Sequence, residues 1–240
     1  LLDCSMPIYL RLSTFTLHIY GREFHVEAFP FRMQDQETMR CAEVSALNVL
    51  EYFSNTYHDY RSVLPSEITS SNQKHNHERV LPSRGMPYPI LTKVFSDFGY
   101  SPRLYNLYAI EKFPFANVDQ AVELKRLLHY YIESGLPVAV NLISKENEND
   151  AHSVVCIGHG KIKEELLTNA QKNRNILWEE RYSGHPLINS ADLYDDYVII
   201  DDNAPVYQVR KFNQLTSYSD MYVVNLAVPL YKRMFLDAPN

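Results

Sequence analysis

Three kinds of side chain that together turn a thiol into a nucleophile stand in this chain where a fold could assemble them. They are a cysteine, Cys41, a histidine, His152, and a pair of neighbouring carboxylates, Asp201 and Asp202. A cysteine attacks a carbonyl as its thiolate, so it needs a group to take its proton and donors to hold the oxyanion that develops. In QDQETMRCAEVSALNVLEYF, residues 34–53, a glutamine-bearing approach runs into Cys41. Val44, Ala46, Leu47, Val49, Leu50 and Phe53 follow, several at three- and four-residue spacing, which predicts an amphipathic helix from about 40 to 55. Thr38 is placed to cap it, so Cys41 falls in the first turn, where unpaired N–H groups and the helix dipole favour a thiolate. Gln34 or Gln36 could supply an oxyanion donor. Taken alone, a lone cysteine on such a helix is more often a small buried hydrophobe.

His152 opens the apolar run AHSVVCIGHG, so its ring stands at the mouth of a predicted strand anchored by Val154, Val155 and Ile157. A rigid element with an accessible end and a side chain that titrates near neutrality is what a general base requires. His159, in a Gly-His-Gly turn, is the competing and less ordered choice. Asp201 and Asp202 follow another apolar strand in YVIIDDNAPVY. One of them could accept the second imidazole N–H and fix the tautomer, although an Asp/Asn turn before proline is common on its own.

The order of these pieces is informative: a Cys at a helix start, a His at a strand start, then an acid after a later strand. It resembles the papain-like cysteine peptidases, and within them the compact bacterial branch related to the double-glycine peptidases that process bacteriocins. The resemblance covers about residues 34–53, 132–160 and 196–207. It is carried by Q-x4-C or Q-x6-C, by G-L-P-V-A-V-N with A-H-S-V-V-C-I-G, and by Y-V-I-I-D-D-N. It implies an α+β papain-like fold in which the nucleophile's helix packs against an antiparallel sheet. It further implies a thiol hydrolase of peptide or amide bonds. Cys41 attacks, His152 takes the thiol proton and returns it to the leaving amine, and Asp202 or Asp201 orients the imidazole. The Cys41 N–H and Gln36 or Gln34 hold the oxyanion.

The chain departs from the family pattern in three places. Gln34 is seven residues and Gln36 five residues before the cysteine, where the family has six; Gln36 is preferred. Ala42 and Glu43 follow Cys41, where the family often has Gly or Trp next. Glu43 would oppose a thiolate if it pointed inward, and is expected to point outward. Laid against the family, Asp202 matches its strand-then-Asn pattern and Asp201 the strand-then-Asp-Pro pattern of the double-glycine branch; Asp202 is preferred, and strand alternation lets only one of the two face His152. The same triad also serves acyl transfer and deamidation, and an inactive papain-like module that binds a partner through the old cleft is a further reading.

The remaining elements must position these groups. The 240 residues suit a single domain, 1–240, read as an N-terminal hairpin extension, 1–32, whose aromatic content fits a core face, and a catalytic core, 33–240. Insertions at 56–89 and 161–195, the second holding Trp178, are expected to wall the cleft. Ser66 and Glu67 mark a short helix, and further helices are predicted at 88–98 and 119–134, the latter capped by Asp119 and closed by Gly135. His129 within it reads as a satisfied structural histidine. LPVAVNLI, AHSVVCIGHG, YVIIDDNAPVYQV and SDMYVVNLAVPL are predicted strands.

Composition narrows the classes. A net charge of −6 without a dense Lys/Arg run argues against a nucleic-acid surface. Eighteen Tyr against seven Gly argue for a β-containing fold over a glycine-rich nucleotide binder. Three cysteines with no CxxC pair build neither a disulfide scaffold nor a cysteine zinc site. His75 and His77 stand two apart, but no third ligand gives them a metal signature. No cofactor or metal is expected, and the expected partner is a peptide or protein substrate, with oligomeric state open. No apolar run is long enough for a membrane span and no signal peptide is visible, so a reducing cytoplasm is expected. The start at Leu1 without a Met is compatible with a processed or excised piece.

Overall fold

The computed structural model describes residues 8–35, 37, 40–77, 85–107, 120–147, 149–172, 189–218, 220–232 and 234. The chain is mixed α and β. Its main sheet has the strand order β4 (Arg103–Asn106), β9 (Met221–Val228), β5 (Val138–Ser144), β6 (Ala151–His159), β7 (Asp196–Ile200), β8 (Gln208–Lys211), and every described pairing is antiparallel. The short β1 (Tyr9–Leu10) joins the same sheet beside the far end of β6, pairing Tyr9 with His159 and Leu10 with Gly158. Gly158 is required there, because a Cβ would stand 2.0 Å from the Tyr9 carbonyl oxygen.

The central strands are buried on both faces. Val138–Val140, Val154–Ile157, Tyr197–Ile200 and Leu226–Val228 are all 2% exposed or less, though alternate residues point to opposite sides. Helices supply the cover. α1 (Cys41–Thr56) packs on β5 and β6, and α4 (Gln120–Glu133) packs on β5, β6 and β9. α4 ends where Gly135, at φ 89°, lets the chain reverse, with Gly135 N–H donating to Ile132 O and Leu136 N–H to Tyr131 O. That reversal feeds β5 directly. No helix among the described residues is long and apolar enough to cross a membrane.

Several sequence expectations are corrected. α1 is not a helix with one apolar stripe, because residues 42 through 50 are buried without a break, as befits a helix enclosed on all sides. The hairpin β2 (Ser13–Ile19) and β3 (Arg22–Ala28) forms its own two-stranded sheet, and its apolar residues do not make a core face. Leu17, Ile19, Phe24 and Val26 are each more than two-fifths exposed. The 56–89 segment contains a full helix, α2 (Pro65–His75), which leads to α3 (Tyr88–Asp97). His159 belongs to β6 and is buried. Asp119, 173–188 with Trp178, and 78–84 lie outside the described residues.

Candidate active site

Cys41 is the first residue of α1 and is half-buried. Arg40, in extended conformation, is the N-cap, and its carbonyl accepts the N–H of Val44 at 3.0 Å. Thr38, expected as the cap, lies outside the described residues. The Arg40 N–H is instead taken by the Glu43 carboxylate at 2.7 Å, the reach-back half of a capping box. Glu43 does not point outward. It is fully buried, and its second oxygen accepts Asn72 Nδ2 at 2.6 Å. The carboxylate is thereby committed to the helix start and to α2, which answers the concern that it would face the thiol freely.

His152 sits second in β6, opposite Leu142 of β5, and is 5% exposed. Its Nε2–H donates to Asp201 Oδ1 at 2.9 Å, while Asp202 Oδ1 stands 3.9 Å away. With Nε2 committed, Nδ1 is the ring nitrogen left for the hydrogen bond to Cys41. Burial alone would depress the imidazole's proton affinity. The hydrogen bonds to Asp201 and Cys41, and the charges on both, outweigh it and raise the His152 pKa. The Tyr218 ring meets the imidazole edge to face, with centroids 5.7 Å apart.

The two aspartates have opposite environments. Burial pushes at the Asp201 carboxyl, but it accepts from His152, from the Asn203 N–H at 3.0 Å and from Thr216 Oγ1 at 3.2 Å, and its pKa is lowered. Asp202 is also buried, and neither of its oxygens has a hydrogen-bond partner among the described residues. Desolvation, reinforced by the charge of Asp201, raises its pKa to about 6 despite the nearby imidazole. The imidazole is therefore hydrogen-bonded to Asp201 and not to the preferred Asp202.

These groups open on a cleft of about 630 Å³ lined by Gln34, Cys41, His152, Asn203 and Tyr218 among others. Gln34 donates through Nε2 to Asn203 Oδ1 at 2.6 Å, which ties the approach to α1 to the turn after β7. Gln36 lies outside the described residues. Asn76 and the 85–88 segment line one wall, so part of the 56–89 insertion does border the cleft. None of the described residues of 161–195 lines it. His75 pairs with Asp97 at 2.9 Å and takes no part.

Sequence reading missed three supporting groups. Asn203 stood in view within the Asp-Asp-Asn run, but nothing linked it to Gln34. Asn72 and Thr216 hold Glu43 and Asp201 from segments with no periodic or motif signal. Chemically, a half-buried thiol, an imidazole braced by a carboxylate and an amide at the rim can move a proton and stabilise an anion in one place. No protein-family model and no curated protein matches this sequence.

Proposed function

We propose that the chain is a papain-like thiol hydrolase that cleaves a peptide or amide bond through Cys41, His152 and Asp201. The observation that carries this reading is the continuous line from the Cys41 thiol through the His152 ring to the buried Asp201 carboxylate, with Cys41 and His152 lining a cleft. In the proposed cycle the Cys41 thiolate attacks the carbonyl carbon, and the carbonyl electrons move to oxygen. Two donors serve that oxyanion. One is the Cys41 backbone N–H, which has no intrahelical acceptor at a first helical position. The other is the Gln34 side-chain N–H left over after its bond to Asn203. The His152 imidazolium gives its Nδ1 proton to the leaving amine, which departs and leaves a thioester. His152 then takes a proton from water, whose oxygen attacks the thioester and returns the thiolate. Asp201 holds the ring in one tautomer throughout. The same thioester meeting an amine in place of water gives acyl transfer. A free thiol in this role fits a reducing compartment such as the cytoplasm.

The test is turnover of an internally quenched peptide library by wild type and Cys41→Ala, with thermal melts of both. Loss of all turnover in a Cys41→Ala protein that melts normally supports the reading. Turnover that survives in Cys41→Ala refutes it. So does a wild type that cleaves nothing and shows no acylation burst with p-nitrophenyl acetate.

A further inference from the structure

A second group of titratable side chains lies at the opposite end of β6 from His152. His159 stands seven positions beyond His152, about 23 Å along a strand at ~3.3 Å per residue. There His129 and Glu133, four apart and so on one face of α4, meet His159. One ligating atom from each of the three lies within 4.8 Å of the others. His129 and His159 are both 1% exposed, whereas the Glu133 side chain is half exposed and faces a route to solvent.

The details favour a metal over a simple ion pair. His159 Nδ1 lies 2.7 Å from the Gly160 carbonyl, and as the donor there it leaves Nε2 directed at the Glu133 carboxylate, which it contacts. An imidazole that gives one N–H to a backbone carbonyl and presents the other nitrogen is the usual arrangement of a metal-binding histidine. His129 is the unexplained member. Its Nδ1 is buried without a partner among the described residues, contrary to the satisfied structural histidine expected from sequence. Tyr194 stacks on His129 at 4.6 Å and meets His159 edge-on at 4.4 Å, while Tyr9 covers His159 at 5.2 Å. These rings fix both imidazoles and leave little room for them to turn away.

We propose that His129, Glu133 and His159 form a binding site for a divalent transition metal, zinc foremost, that fastens the C-terminal end of α4 to the far end of β6. Two imidazole nitrogens and one carboxylate oxygen are a zinc donor set, with a fourth position left for solvent. Ligand atoms around tetrahedral zinc sit about 3.3 Å apart at bond lengths of ~2.0–2.1 Å. Binding therefore draws the widest pair inward and moves Glu133 away from its direct contact with His159, a shift open to a half-exposed side chain at a helix end. The site is independent of the thiol chemistry proposed above.

The test uses Cys41→Ala, which removes the thiol of the cleft, stripped with a chelator and titrated with Co²⁺ and Zn²⁺. The expected result is one equivalent of Co²⁺ with tetrahedral visible bands and no thiolate charge-transfer band, together with a rise in Tm on adding Zn²⁺. Glu133→Gln, a half-exposed change that should fold, weakens binding by about tenfold or more and loses the Tm rise. His152→Ala changes neither. Failure to take up metal, or equal affinity in Glu133→Gln, overturns the proposal and leaves a His159–Glu133 ion pair. Loss of binding in His152→Ala assigns the metal to the thiol cleft and overturns it equally.

Discussion

Asp201 and Asp202 differ by one position, yet their exchange for asparagine should have very different consequences. Asp201→Asn keeps the shape of the side chain and an acceptor for His152 Nε2–H and the Asn203 N–H, so the fold is retained. What is lost is the charge on the 2.9 Å bond to a ring that is itself buried. A hydrogen bond to a charged group is worth about 1.5–3 kcal/mol. At about 1.4 kcal/mol per pH unit, the His152 pKa should fall by about one to two units. The same energy removed from the thiolate–imidazolium pair slows reaction at Cys41 by about tenfold to a hundredfold. Asp202 makes no hydrogen bond to the ring, and burial pushes its carboxyl pKa up to about 6. At pH 5 it is mostly neutral, so Asp202→Asn should then leave Cys41 unchanged, while Asp201, whose pKa is lowered, still carries its charge. The assay is the second-order rate of iodoacetamide alkylation of Cys41 at pH 5, read by peptide mass spectrometry, with the His152 ring titrated by NMR in parallel. An Asp202→Asn protein slowed as much as Asp201→Asn would refute the assignment of roles.

Asp202 also predicts a pH-linked stability change. Its folded pKa of about 6 is raised above an unfolded value of ~3.9, so the folded state holds this proton more tightly and stability is lost as pH rises through 4 to 6. The two-unit shift corresponds to about 3 kcal/mol, so Asp202→Asn should gain up to about 3 kcal/mol in urea unfolding at pH 8 relative to its effect at pH 4. A gain that does not vary with pH would contradict the environment described. Glu43→Ala strands the Arg40 N–H and the Asn72 amide beneath Cys41, and should cost about 2–3 kcal/mol in thermal unfolding, with partial recovery in Glu43→Gln. Gln34→Ala should reduce kcat by about 10²–10³ with little change in KM, as expected for loss of an oxyanion donor. Asn203→Ala should reproduce part of that loss by freeing the Gln34 amide. An unchanged kcat in Gln34→Ala transfers the role to Gln36.

The parts of the fold legible in the sequence were those written in local pattern. The apolar run after Cys41 placed the start of α1 to within a residue, and the Gly135 stop and the β5 and β6 runs were equally clear. α2 was not, beyond its opening at Ser66 and Glu67, because only Ile68 among its apolar positions is buried and its polar residues carry no period. The hairpin misled in the opposite direction. Its Phe, Leu and Ile alternate as a buried strand does, but although β2 approaches α1, Leu17, Ile19, Phe24 and Val26 stay exposed, and alternation records a preference for cover without providing it. In the site, Cys41, His152 and the Asp pair could be singled out because each marks an element's end. The choice between Asp201 and Asp202 could not be read, since it depends on Thr216 and the turn at Asn203, which reach Asp201 alone. Glu43 failed for a similar reason: its partner Asn72 lies 29 positions away on a helix the sequence barely announces.

The most direct test of the central claim is the relative alkylation rate of Cys41 and Cys156 in the native protein at pH 6, with and without His152→Ala. Cys156 is the internal reference, because burial pushes its thiol up to about 12 and encloses it completely. The account predicts that Cys41 reacts far faster than Cys156 and that the advantage collapses in His152→Ala. If Cys41 in the native protein reacts no faster than the same cysteine in the unfolded chain, there is no thiolate–imidazolium pair, and the proposed hydrolase is contradicted.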